Sequence, residues 1–172
     1  MRRSATMLGL AGVAALAVTV GSATAHDRHK DNVVRAFLVG ANEVPSVSTG
    51  ASGRFRAEIS DDEQSVEFTL TYEGLEGGST LFAHIHLGQR HTNGGVMVFL
   101  CGGGTKPDAC PNPGGTVKGT LTAADVREIL TQQVPAGGFD EFVAALRAGL
   151  GYVNVHTTAS QGGEIRGQLI PH

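Results

Sequence analysis

The chain has no tryptophan, only two tyrosines and two cysteines in 172 residues, and no strong excess of either charge. So few aromatic rings and so little clustering of basic residues exclude a surface on which nucleobases or sugars would stack. The formal net charge of -3 offers no general attraction to nucleic acid or to an anionic membrane. We therefore expect no nucleic-acid partner.

The two cysteines enclose a short glycine-rich segment between Cys101 and Cys110. Two cysteines at this spacing, with no histidine nearby, match no zinc motif. A thiolate metal pair is the alternative, but a disulfide is the favoured interpretation for a chain that meets an oxidising compartment. Closing so short a loop should contribute about 2–3 kcal/mol to stability.

The pattern of the N-terminal residues predicts a targeting signal. Arg2 and Arg3 precede an apolar run from Met7 to Val20, and Ala23-Thr24-Ala25 is a small-x-small cleavage site. The apolar run is shorter than the ~20 residues that span a bilayer, and no cysteine follows it for lipidation. We expect cleavage after Ala25 and a secreted or periplasmic protein without a stable membrane anchor.

The expected domain organisation is simple. Residues 1–25 form the signal peptide, residues 26–32 a polar N-terminal segment, and residues 33–172 a single β domain. Short runs with alternating apolar and polar residues, separated by glycine-rich turns, predict about eight strands. The predicted fold is all-β, an antiparallel immunoglobulin-like or Greek-key β-sandwich or barrel, with one or two short helices inserted before the last two strands.

Two segments break the strand pattern. Thr122 to Asp125 has the composition of a helix start, and it leads into a predicted helix over 126–130. A second helix is predicted from Asp140 to Ala148, ended by Gly149.

Three predicted strands each carry polar side chains on one face. Side chains alternate along a strand, so residues two apart share a face. The polar positions are His84 and His86 on one strand, Tyr152, Asn154 and His156 on the next, and Glu164, Arg166 and Gln168 on the last. If these strands are neighbours, three imidazoles, a carboxylate and a guanidinium converge.

This convergence has two interpretations, and the sequence leaves both open. His84, His86 and His156 would form a metal site, with Glu164 as a fourth ligand or as a hydrogen-bond partner of a ligand, and copper or zinc would suit the imidazoles. Such a site should lose its metal as the imidazoles protonate near about pH 6–6.5. Alternatively the side chains form a hydrogen-bonded network, in which Glu164 and Arg166 are a structural pair.

Three other polar residues are further candidates for a functional site. Glu43 would reach the same surface or end the first strand before Pro45. His91 lies in a loop, where it would be solvated or serve as a mobile ligand. His26 would be the N-terminal residue after cleavage, able to chelate copper with its α-amine and with help from His29, although termini are usually mobile.

Four segments resemble the CHRD domain, a module first described in chordin. They run from Leu38 to Pro45, from Ala83 to Gly88, from Tyr152 to Thr157 and from Gly162 to Gln168. The resemblance implies an immunoglobulin-like β-barrel but no settled biochemical function. The family has limited similarity to copper/zinc superoxide dismutases.

The dismutase similarity carries over to a few residues. His84-Ile85-His86 resembles the copper-binding His-x-His pair, His156 would stand for a later copper ligand, and Arg166 for the arginine that attracts superoxide. The segment after the His-x-His strand lacks the zinc ligands, with little beyond His91, so the resemblance implies at most a copper-only form.

Three functional hypotheses follow. The first is a non-enzymatic binding module whose histidine-bearing surface takes a metal ion or an extracellular protein partner. The second is a copper-only, dismutase-like redox enzyme. The third is a purely structural domain. No Ser or Cys nucleophile motif and no phosphate-binding loop points to another enzyme class.

Overall fold

The structure is a computed structural model that describes residues 32–172. The predicted signal peptide, His26 and His29 lie outside these residues. The described residues form nine strands: β1 Val33–Val39, β2 Ser52–Ile59, β3 Val66–Glu73, β4 Thr80–Leu87, β5 Gly95–Cys101, β6 Gly115–Leu121, β7 Gly151–Thr157, β8 Ile165–Gln168 and β9 Ile170–Pro171. The α-helix α1, Phe139–Arg147, precedes β7.

The strands form one antiparallel sheet in the order β5-β4-β7-β8-β1-β2-β3-β6, with β9 also paired to β1. The sheet curls into a nearly closed barrel. In the described part of the chain, β5 and β6 form its two ends and are not hydrogen-bonded to each other. The predicted antiparallel β fold with a short helix before the last strands is confirmed.

The period-2 alternation of the sequence places one face of each strand in the core. In β2 and β3, Phe55 lies opposite Leu70 and Ala57 lies opposite Phe68, and all four are buried. The half of the sheet that carries the histidines contributes its other face to the same core, through Ile85, Val153, Val155 and Ile165. Burial of these aliphatic side chains stabilises the barrel and fixes the register of its strands.

The helices differ from the prediction at one place. The second predicted helix is confirmed as α1, and Gly149 follows it with a φ of 65°, which glycine adopts without strain. The first is wrong: residues 123–125 form one turn of 3-10 helix and no helix continues to residue 130. The backbone N–H of Arg127 instead donates to Met97 O at 2.8 Å, so the chain runs extended beside β5.

Cys101 and Cys110 are joined in a disulfide, with their Cα atoms 5.2 Å apart. It closes the loop that leaves β5 on the way to β6. Within residues 32–172, no helix combines the length and the apolar character needed to cross a bilayer.

Candidate functional site: a buried histidine cluster

The sheet brings the predicted polar residues together because β4, β7 and β8 are neighbours. His84 lies opposite Asn154 in the β4–β7 pair, and Asn154 lies opposite Arg166 in the β7–β8 pair. His156 is two residues along β7 on the same face. The ligand nitrogens of His84, His86 and His156 lie within 4.8 Å of one another.

This polar face is covered, whereas the sequence suggested a surface presented to a ligand. His84 is 3 % exposed, His86 8 % and His156 4 %. The reason is that two loops, which no strand periodicity predicts, fold over it. Residues 88–94 cover one end and residues 158–163 the other, and each contributes a backbone carbonyl to one of the imidazoles.

Those carbonyls determine which nitrogen of two imidazoles carries the proton. His86 Nδ1 lies 2.8 Å from Gly94 O, and His156 Nδ1 lies 2.8 Å from Gln161 O. A carbonyl oxygen only accepts, so both Nδ1 atoms donate. In the neutral rings both Nε2 atoms therefore carry a lone pair, and that of His156 is buried without a hydrogen-bond partner.

His84 links these two rings. Its Nδ1 lies 2.9 Å from His86 Nε2 and 3.1 Å from Asn154 Oδ1. Since both neighbours are acceptors, His84 Nδ1 carries the proton in the metal-free protein and shares it between them. A metal ion bound at this nitrogen would take the place of that proton.

Burial keeps the three imidazoles neutral. It lowers the pKa of His84 to about 3, with the neighbouring His156 and His86 lowering it further. Burial also lowers the pKa of His156 to about 4, against the opposing hydrogen bond to Gln161 O. The pKa of His86 is lowered mainly by burial as well. Neutral imidazole is the form that binds a metal ion.

The spacing of the nitrogens fits a metal ion after a small adjustment. Two nitrogens bound tetrahedrally at metal–nitrogen distances of about 2.0–2.1 Å lie about 3.3 Å apart. The 2.9 Å between His84 Nδ1 and His86 Nε2 is already close to this value. All three ligand nitrogens lie within 4.8 Å of one another, so a bound ion would draw them closer by at most about 1.5 Å.

Aromatic rings surround the cluster. Phe82 lies two residues before His84 and therefore shares its face, whereas the position of Phe99 follows from the pairing of β4 with β5. Phe82 lies 5.0 Å from the ring of His84 and 4.7 Å from that of His156, and Phe99 lies 5.0 Å from His84. Both phenylalanines are half-buried, so they separate the cluster from solvent. On the other side, His86 stacks on Tyr152 with centroids 4.6 Å apart.

Glu164 does not join the cluster. Its Oε1 accepts from Thr49 Oγ1 at 2.9 Å and from the Glu76 N–H at 2.7 Å. Its Oε2 accepts from Thr157 Oγ1 at 2.7 Å and from the Gly77 N–H at 3.0 Å. Burial raises the pKa of this carboxyl, but the four hydrogen bonds together lower it. Its role as fourth ligand is therefore corrected: Glu164 joins the loop before β4 to the end of β7.

Arg166 does not pair with Glu164 either. Its guanidinium donates to Gln89 O at 3.1 Å, to Thr92 O at 2.7 Å and to Asn93 Oδ1 at 3.3 Å. These donors hold the 88–94 loop over the cluster. A guanidinium engaged in this way, on a side chain that is 2 % exposed, is not free to attract an anion as the dismutase comparison requires.

Glu43 reaches the polar face, as the sequence allowed. The side chain is 5 % exposed and lies beside Arg166 and Asn154, and its Oε1 has no hydrogen-bond partner. Burial raises its pKa to about 7, against the lowering effect of the Arg166 charge. Gly163, with a φ of 123°, leaves the space that Glu43 occupies, since a Cβ there would collide with the carboxyl.

His91 lies outside the cluster. It is exposed in the 88–94 loop and has a φ of 63°.

Sequence comparison identifies the fold family. The model of the CHRD domain matches residues 34–169, most of the chain. No curated protein and no solved structure gives a match. The matched region contains the whole cluster and the loops that cover it, and the chain belongs to the CHRD domain family.

Proposed function

We propose that this protein is an exported, non-enzymatic binding module that holds a nitrogen-preferring metal ion, copper or zinc, on His84, His86 and His156. The observation that carries the proposal is the unpartnered Nε2 of His156. Leaving a buried lone pair without a donor costs free energy, and a metal ion at that point would remove the cost. Membership of the CHRD family and the disulfide support an exported binding domain.

The donor set supports copper or zinc in particular. Three neutral imidazoles suit these ions, whereas calcium and magnesium prefer oxygen ligands. The carbonyls of Gly94 and Gln161 act as the outer partners that metal-bound histidines usually have, because they fix each ring by its other nitrogen.

Calorimetric titration of the chelator-treated full chain with Zn²⁺, and with Cu²⁺ in parallel, tests the proposal. We expect one ion per chain and loss of that binding in His156→Gln. His91→Gln is the matched control because it removes an exposed imidazole outside the cluster. His26→Gln/His29→Gln excludes chelation by the N-terminal histidines and should leave the stoichiometry at one.

A purely structural network is the competing outcome. In that case neither ion binds the wild-type chain at the cluster, and His156→Gln changes stability alone. Binding that persists in His156→Gln and disappears in His26→Gln/His29→Gln would also overturn the proposal, since the metal would then sit at the N-terminal segment.

A further inference from the structure

The outward face of β1, β2, β3 and β6 carries a row of cations that crosses all four strands. Arg35 lies opposite Arg56, Arg56 opposite Thr69, and Thr69 opposite Lys118. The three basic side chains are exposed. Neighbouring strands are about 4.8 Å apart. Arg35 and Arg56 are therefore one strand spacing apart, and Arg56 and Lys118 are two strand spacings apart.

The adjacent row adds a fourth cation, an aromatic ring and hydroxyl groups. Phe37 lies opposite Arg54, which lies opposite Thr71. The Arg54 guanidinium lies 5.5 Å from the centre of the Phe37 ring, and the Phe37 side chain is 54 % exposed. The Thr71 hydroxyl is 2.9 Å from that of Thr116 on β6.

Few of these charges are neutralised. Arg56 pairs with Glu58 at 2.7 Å, and both side chains are about half exposed. Within residues 32–172, neither Arg35, Arg54 nor Lys118 forms an ion pair. The next row carries Glu58 opposite Glu67, and Glu67 lines the same groove as Lys118. The two rows that contain Arg35, Arg54, Arg56 and Lys118 hold no carboxylate, so this part of the face is basic on a chain whose formal net charge is -3. The overall charge conceals this patch, which emerges only when the register of the strands is known.

The face is open and elongated. One groove of about 740 Å³ runs past Arg35, Phe37 and Arg54, and a second of about 400 Å³ runs past Lys118. Both are lined by Arg56 and Thr69, so they adjoin along the cationic row. A shallow trough of this kind suits an extended polymer better than a small molecule, which needs a deeper cavity.

We propose that this face binds a linear acidic polysaccharide, with the basic side chains on its carboxylate or sulfate groups and the threonines on its hydroxyls. Single-stranded nucleic acid would need several rings for base stacking, whereas among residues 32–172 the exposed rings that line the trough are those of Phe37 and His172. A peptide that adds as a strand would pair along the edge of β6 and would leave Arg35 and Arg54 uncovered, because β1, β2 and β3 each have neighbours on both sides.

The proposal is independent of the metal site. The cluster lies on β4 and β7, in the other half of the sheet, and none of its residues lines the trough. Polysaccharide binding should therefore be the same in chelator-treated protein and in His156→Gln, so failure of either proposal leaves the other intact.

The test measures binding of the full chain to polygalacturonate and to heparin, with neutral dextran and poly-glutamate as comparison ligands. We expect binding to polygalacturonate, heparin or both, weakening as salt rises from about 50 to about 200 mM, and none to dextran. Arg35→Gln/Lys118→Gln should raise the Kd about tenfold or more. The matched control Arg90→Gln/Arg127→Gln removes the same charge from exposed sites elsewhere and should leave the Kd within about twofold.

Three results would overturn the proposal. One is no binding to either acidic polysaccharide at low salt. Another is an equal loss of affinity in both double variants, which would indicate general charge attraction. The third is equal or tighter binding of poly-glutamate, which would identify an acidic protein as the partner. Unchanged circular dichroism and melting temperature would establish that the variants fold, because all four substituted side chains are exposed.

Discussion

The guanidinium of Arg166 lies 3.3 Å from the centroid of the Tyr152 ring, and the same ring stacks on His86. The side chain that holds the covering loop is thereby coupled to the histidine cluster through one aromatic ring. A cation over an aromatic face in a desolvated position is attracted to it, and that attraction adds to the hydrogen bonds that the guanidinium makes.

Arg166→Lys should destabilise the protein by about 2–4 kcal/mol. Lysine keeps the charge but cannot reach the carbonyls of Gln89 and Thr92 together with the Asn93 side chain. Urea unfolding measures the change, and Arg90→Lys is the control because Arg90 is exposed in the same loop. If the free energy of unfolding falls by less than about 0.5 kcal/mol, the hydrogen bonds of the Arg166 guanidinium contribute little to stability.

Acid should destabilise the metal-free protein through the buried imidazoles. An unfolded histidine has a pKa near about 6.5, whereas burial lowers that of His156 to about 4. Between pH 4 and pH 6.5 the unfolded chain binds more protons than the folded protein does. The contribution of the neutral imidazole to the free energy of unfolding is therefore complete above pH 6.5 and is lost as the pH falls toward 4.

For His156 alone the loss is about 3 kcal/mol. The difference in unfolding free energy between wild type and His156→Gln, measured from pH 7.5 to pH 4, isolates this contribution. If that difference does not change with pH, the imidazole is not held neutral by the fold.

Zinc binding at the cluster should persist to lower pH than an ordinary histidine site allows. From the sequence we expected release near about pH 6–6.5. The pKa values of about 3 for His84 and about 4 for His156 leave protons with little ability to compete at pH 6. Calorimetric Kd values at pH 7.5 and pH 6 should agree within about twofold. A tenfold weakening at pH 6 would contradict the low pKa values.

Glu43→Gln should stabilise the protein at alkaline pH. The unfolded carboxyl has a pKa near about 4.3, but burial raises the folded value to about 7. The Glu43 carboxyl therefore holds its proton more tightly in the folded protein than in the unfolded chain. The resulting stability is lost as the pH rises through 7. Glutamine removes this loss, so the variant should gain about 3 kcal/mol at pH 8 and nothing at pH 4. Glu67→Gln, at an exposed carboxyl, is the control for urea unfolding.

Replacement of both cysteines by serine should cost about 2–3 kcal/mol. The cross-link closes a loop with a sequence separation of 9, and the loss of chain entropy in the unfolded state sets this magnitude. Thermal melting of the double variant measures it, and reduced wild type should match. If reduction leaves the melting temperature unchanged, the cross-link is not a source of stability.

Strand periodicity predicted much of the fold and part of the site. A period of two forces His84 and His86 onto one face, whatever the rest of the chain does, and the pairing of β4 with β7 then brings His156 to them. The helix beyond Asp125 was wrong because a capping box specifies only one turn, while Arg127 pairs with a strand distant in sequence.

The contacts of Glu164 were beyond the reach of sequence patterns. Two of its donors are backbone N–H groups of Glu76 and Gly77, which no side-chain pattern reveals. The burial of the cluster was missed for a similar reason, because irregular loops such as 88–94 have no periodicity from which to predict where they fold.

In the barrel formed by residues 32–172, the disulfide between Cys101 and Cys110 lies at the end of β5, next to the place where β5 and β6 are not joined by a ladder of hydrogen bonds. Among the strands of this barrel, β6 has a neighbour on one side only, and such an edge templates the pairing of one molecule with another. The edge of β5 is partly covered, because the Arg127 N–H donates to Met97 O. The cross-link ties the end of β5 to the loop that leads into β6 and so restrains this part of the barrel. Its reduction should therefore promote self-association through the edge of β6 as well as lower the melting temperature.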